Sequence, residues 1–235
     1  MPDLTLLAEH VSGTGVGTGF TNWTYQQEPD SIVWVVRSDG VLTGMTYQRS
    51  ENVVAWHRHI LGGAFSTGNA VVESVAAISN STAASKGEDS LYMIVKRTIN
   101  GGTKRYVEIM QPFDFADDIE DAWFLDSALS YSGGATTSLS GLDHLEGQTV
   151  TILANGSTHA DKTVSSGAIT LDRSVTKAIV GLNYTSTLQT MRIESGSADG
   201  SSQGKVKRIQ EITARFFQTV GGQIGSTSTN TDIIP

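Results

Sequence analysis

The chain contains no cysteine. Disulfide staples, zinc thiolates and cysteine nucleophiles are excluded, and nothing in thiol usage reports a redox compartment. Charge is sparse as well. Asp, Glu, Lys and Arg make up 17% of the 235 residues, and the balance is acidic, with a net charge of −8. A broad basic footprint for nucleic acid is therefore absent. The short basic runs "KVKRIQ" from Lys205 and "KRT" from Lys96 read as solvated strand faces. No apolar run approaches the roughly 18 residues that a membrane span needs. The start, "MPDLTLLAEHVSG", has neither the basic region nor the apolar stretch of a secretory signal.

Hydrophobic residues are also few, at 38%, and Ser, Thr and Gly take their place. That composition suits short strands and many turns, and does not suit helix bundles. The length allows one large all-β domain or two smaller ones. "SIVWVVRSDGVLTGMTYQ" reads as strand, Asp39-Gly40 turn, strand, and "VVAWHRHIL" as a third strand. "LGGAFSTGN" reads as a loop and "AVVESVAAIS" as a strand. "LYMIVKRTINGGTKRYVEIMQ" is a second hairpin turning at Asn100-Gly101-Gly102. The two hairpins resemble each other, with Ser31–Arg37 lying over Ser90–Lys96. A repeat of about 60 residues suggests antiparallel meanders in series, as in a propeller.

Composition shifts near Asp126. The Ser/Gly/Thr-rich "SALSYSGGATTSLSG" precedes several very short strands, two of them ending at Asn155-Gly156 and Asp172-Arg173. The expected organisation is a propeller-like β-platform over 1–126, an inserted small β-barrel over 127–195, and return strands of the platform over 196–235. In the last part "KVKRIQEITARFFQTVGGQIG" reads as long strands, with a helix beginning over Lys205 to Gln210 as the alternative. A module with its own core can be inserted at a surface turn of its host.

Among residues with chemistry to offer, His57 and His59 stand out in a chain with 5 histidines. A strand sends residues i and i+2 to one face, so the two imidazoles project together, with Trp56, Arg58 and Ile60 on the other. An H-x-H pair can supply two metal ligands. A full site needs more, and nothing in the spacing of Glu73 or Asp89 singles them out. A polar face contacting a neighbouring strand or subunit is the favoured reading, with Trp56, His57, Arg58 and His59 as structural or interface residues. "GTGVGTG" from Gly13 to Gly19 has neither the dinucleotide spacing nor a following helix, and reads as a glycine turn. "DFADDIEDAWFLD" carries six carboxylates between Asp114 and Asp126 without the EF-hand pattern. It reads as an acidic loop or a single helical turn. There is no G-x-S-x-G elbow. No motif marks an enzyme, a cofactor site or a metal site.

The stretches "LTLLAEH", "YQQEPDSIVWVVRSDGVLTGMTYQRSENVVAWHRH", "VVESVAAI" and "DSLYMIVKRTINGGTKRYVEIM" resemble the large tail proteins of short-tailed bacteriophages, related in role to tail tubular protein B, the nozzle. "DAWFLDSALSY", "VGLNYTSTLQTM" and "SQGKVKRI" extend the likeness over nearly the whole chain. Leu142 to about Leu171 also resembles the small β-barrel named for the first catalytic cysteine half-domain of ubiquitin-activating enzymes. That likeness implies a fold alone, because thioester chemistry needs a cysteine.

The resemblance implies a structural virion protein, made in the bacterial cytoplasm and built into the tail. Its partners would be copies of itself in a ring and neighbouring tail proteins, with DNA passing a channel without specific binding. It also implies a chain excised from a longer protein. The alternative is a receptor- or glycan-binding tail module using exposed aromatics such as Tyr184. A virion hydrolase acting on the cell envelope is a third reading, without a motif to carry it.

Overall fold

The computed structural model describes residues 3–13, 17–79, 87–112, 118–190, 194, 200–202, 204–217, 219 and 221–234. Its regular structure is almost wholly antiparallel β. The chain divides into two units, Met1–Thr185 and Ser186–Pro235.

The first unit begins with a short helix α1 (Glu9–Ser12). A four-stranded meander follows: β1 (Phe20–Gln26), β2 (Ile32–Arg37), β3 (Leu42–Gln48) and β4 (Val53–His59), paired in that order. β5 (Ala64–Phe65) and β6 (Gly68–Asn69) make a small hairpin inside the stretch expected as a loop. A three-stranded meander comes next: β7 (Val71–Ser79), β8 (Asp89–Ile99) and β9 (Gly102–Ile109). The two halves of the sequence repeat take equivalent places, since β2 and β8 are each the second strand of a meander.

β2 is apolar on both faces because both are covered. On one face Trp34, Val36 and Leu42 pack against Val72, Val75, Leu91, Met93 and Val95, so the core lies between the two meanders. On the other, Arg37 Nη1 donates to the Val11 carbonyl at 2.9 Å and Trp56 Nε1 to the Leu4 carbonyl at 2.8 Å, which fixes the N-terminal segment. The sheets are stitched along β1 and β7 by side chains rather than by a backbone ladder. Val75 N–H donates to Asn22 Oδ1 at 2.9 Å, and Ala77 N–H to Thr24 Oγ1 at 3.0 Å. Each such bond contributes about 0.5–1.5 kcal/mol.

A separate module follows: β10 (Asp126–Ser140), β11 (Thr149–Ala154), β12 (Ser157–Thr163) and β13 (Ala168–Leu182), ordered β10-β13-β11-β12. Its core is aliphatic, including Leu139, Leu145, Val150, Ile152, Val164, Ile169, Val175 and Val180. Each such side chain contributes about 1.5–3 kcal/mol on burial. The β11–β12 turn is Asn155-Gly156, both at positive φ (48° and 72°), as a tight hairpin requires.

Three expectations change here. Among the described residues no pairing of β10 with β12 closes the module into a barrel, and no ring of propeller blades is formed. Register shifts in β10 bend the sheet around its core instead. The Ser/Gly/Thr-rich passage forms most of the 15-residue β10, its polar side chains facing largely outward. Asp172-Arg173 ends no strand, because it lies inside the 15-residue β13.

In the second unit the described strands are β14 (Gln223–Thr227) and β15 (Asn230–Ile233), a hairpin. The long strand read over "KVKRIQEITARFF" is not formed, since residues 204–217 join no ladder. No described residue of this unit is buried. A strand needs both a pairing partner and a covered face, and among the described residues 204–217 have neither. Among the described residues no helix is long and apolar enough to cross a membrane.

Candidate functional site

The histidine pair lies on β4, beside the core between the meanders. Gly44 separates His57 from Trp34 in register, so β2, β3 and β4 present Trp34, Gly44 and His57 in one row. The missing side chain at Gly44 is what lets the rings meet. A Cβ there would fall 2.2 Å from Cε1 of His57. Trp34 stands 5.5 Å from His57 and 5.2 Å from His59, centroid to centroid. His57 Nδ1 and His59 Nε2 lie 2.7 Å apart, one donating and the other accepting. Burial lowers the pKa of His57. Burial, then the charge of His57, brings His59 down to about 4. Both rings are thus neutral at pH 7, and each satisfies the other.

A pair of neutral imidazoles is chemically suited to binding a metal, so further ligands matter. Glu73 is committed to Arg105 and Lys96, at 2.7 and 3.0 Å, and the Arg105 hydrogen bond first of all brings its pKa to about 2. Asp89 Oδ2 accepts the Gln27 N–H at 2.8 Å and the Glu28 N–H at 3.2 Å, while Oδ1 accepts from Ser79. Among the described residues no group of three or more His, Asp or Glu is placed to hold a metal ion. Across the strand, Trp56 stacks on Phe20 at 6.2 Å, and Arg58 is exposed.

A second polar cluster is more deeply set. Arg97 is 0% exposed. Its Nε donates to the Gly62 carbonyl at 2.8 Å, and its two terminal nitrogens form a fork with the Glu108 carboxylate. The Gly62 N–H donates to Asp126 Oδ2 at 2.7 Å. Burial raises the pKa of Asp126, opposed by the Gly62 hydrogen bond and the charge of Arg97. Four segments meet here: β8, β9, the turn after β4, and the start of β10. A buried guanidinium joins the second meander to the module through one residue, Gly62. Tyr184, just beyond β13, is only partly exposed, and burial, then the charge of Asp126, raises its pKa.

The sequence carries a signal for this joint in its strand parity. β8 alternates Leu91, Met93, Val95, Arg97, Ile99 on its inner face, so strand parity alone puts Arg97 inside. Lys96 and Thr98 on either side give Arg97 the look of a short basic run.

Of the acidic run, Asp114 and Asp117 lie outside the described residues. A 3-10 turn forms at Ile119–Asp121, and Asp121 pairs with Lys177 at 3.0 Å. Gly13 caps α1 in the left-handed region. Residues 14–16 of the glycine run are outside the described residues. No family model matches the chain, and no curated protein matches it in sequence.

Proposed function

We propose that this protein is a non-catalytic structural component of a bacteriophage tail, acting through assembly with copies of itself and neighbouring tail proteins. One observation carries the reading: the groups best suited to chemistry are spent on internal joints. His57 and His59 satisfy each other against Trp34. Arg97, Glu108 and Asp126 tie two sheets together through Gly62. Large apolar side chains meanwhile face outward on regular strands, such as Val107 at 71% exposure on β9. Rigid joints and outward apolar faces are what a scaffold offers to its neighbours. The test is a density map of an intact virion. Density at the tail that accommodates both meanders and the β10–β13 module supports the proposal, and its absence from virions defeats it.

A glycan-binding tail module is the second reading, favoured by Trp23 and Tyr25. They sit at i and i+2 on one face of the edge strand β1, exposed at 67% and 47%. Paired exposed rings can stack on sugar faces. A glycan array with the intact chain and with Trp23→Ala separates the readings: binding lost in the variant favours the module, and no binding by either favours the scaffold.

A further inference from the structure

Three hairpin turns carry the same kind of residue pair, an Asp or Asn followed by glycine: Asp39-Gly40, Asn100-Gly101 and Asn155-Gly156. Their glycines stand at similar positive φ, 83°, 71° and 72°. Such a pair is also where a chain can react with itself. The glycine nitrogen can approach the side-chain carbonyl carbon before it, because no Cβ crowds the approach. The surroundings of each turn decide which pair is free to do so.

At Asp39 both carboxylate oxygens are held by the Arg37 guanidinium, and Oδ1 also accepts the Val41 N–H at 3.3 Å. A Cβ at Gly40 would fall 2.5 Å from Cγ1 of Val71, so β7 covers that turn. At Asn155 the side-chain oxygen accepts the Thr176 N–H at 3.1 Å and the Lys177 N–H at 3.0 Å, which ties it to β13. A Cβ at Gly156 would fall 2.7 Å from Cγ2 of Ile119, so the 3-10 turn covers this one.

Asn100 has neither restraint. Among the described residues its side chain makes no hydrogen bond. Asn100 and Gly101 are both exposed, and a Cβ at Gly101 would meet nothing within 4 Å. The φ of Asn100 is 48°, the same as that of Asn155, so these two turns do not differ there. What differs is the hold on the side chain and the cover over the glycine.

We propose that Asn100 is a site of spontaneous deamidation, and that Asn155, in the same kind of turn, is protected. The tip of a hairpin opens locally at little cost, which lets Asn100 swing over its own backbone. The Gly101 nitrogen gives up its proton to a solvent base and bonds to Cγ of Asn100. The Cγ–Nδ2 bond breaks, and Nδ2 takes up a proton and leaves as ammonia. One water then opens the resulting succinimide ring at either carbonyl. One opening gives aspartate, and the other gives isoaspartate, whose main chain runs through Cβ and Cγ.

Either product puts a carboxylate where a neutral amide stood. Asn100 Oδ1 lies 4.0 Å from the position of a Cβ on Gly147, so the new charge arrives beside the β10–β13 module. Isoaspartate also lengthens the two-residue turn that closes Ile99 against Gly102, and loop length sets hairpin register.

The test incubates the full chain at pH 8 and follows both Asn-Gly sites by peptide mass spectrometry, with fragmentation that distinguishes isoaspartate from aspartate. The same chain unfolded in urea is the reference, because the fold no longer distinguishes the two sites there. Similar rates are expected in urea. In the folded chain Asn100 should convert about tenfold or more faster than Asn155, whose two backbone bonds must first break. Equal rates in the folded chain, or conversion of Asn155 first, overturn the proposal. So does a folded chain in which Asn100 stays intact while the unfolded chain converts.

Discussion

The two meanders and the β10–β13 module solve the same problem with different materials. The module closes over Leu, Ile, Val and Ala drawn from one folded-over sheet. The meanders enclose Trp34, Met93 and aliphatic residues, but their borders are polar: two histidines at one side and a guanidinium at the other. Apolar packing is forgiving, because a lost methylene costs only its own transfer and cavity terms. A buried polar joint is not, because removing one partner strands the rest. The meanders should therefore be specific and brittle, and the module robust.

The sharpest way to break this contrast is Arg97→Met. It leaves Glu108 and Asp126 without their cation and should destabilise the first unit by about 3–5 kcal/mol, whereas Ile152→Val in the module core should cost about 0.5–1.5 kcal/mol. Denaturant melts of the two variants measure the difference. Equal losses would remove the contrast.

Acid separates the regions next. The pKa of His59 is held at about 4 in the fold, against 6.5 for an ordinary imidazole. As pH falls, the unfolded chain takes up the proton first. The stabilisation is complete above pH 6.5 and lost progressively towards pH 4, a change of roughly 3 kcal/mol. Amide exchange should therefore accelerate over this range in β2–β4 well before it does in β11 and β13.

Gly44→Ala drives a methyl group into the His57 ring and should cost about 1–3 kcal/mol. Asn22→Ala, which removes the acceptor for the Val75 N–H, should cost about 1 kcal/mol. Both are read from thermal melts, and both should leave exchange in β11 and β13 unchanged.

Much of the fold was legible wherever local chemistry decides the backbone. Asp39-Gly40, Asn100-Gly101 and Asn155-Gly156 each mark a hairpin that forms. The shared face of His57 and His59 followed from the two-residue period of a strand. What could not be read depends on partners distant in sequence. β10 is a strand because β13 pairs with it, although Gly133, Gly134 and their Ser/Thr neighbours carry little strand preference of their own. Residues 206–217 have the opposite history: Ile209, Ile212, Phe216 and Phe217 favour a strand, and no ladder partner is supplied. The histidine pair was legible as a pair, but its partner Trp34 and the gap at Gly44 required the register of three strands.

His57 and His59, the residues that most resemble an active site, are neutral, mutually satisfied parts of a joint. Imidazole nitrogen NMR of the intact chain, titrated from pH 8 to pH 4 with and without one equivalent of zinc, tests it most directly. Two neutral rings at pH 7 are expected, hydrogen-bonded to each other, with His59 titrating last near pH 4 and no response of either ring to zinc. Zinc-induced shifts of both His57 and His59 at neutral pH would contradict it.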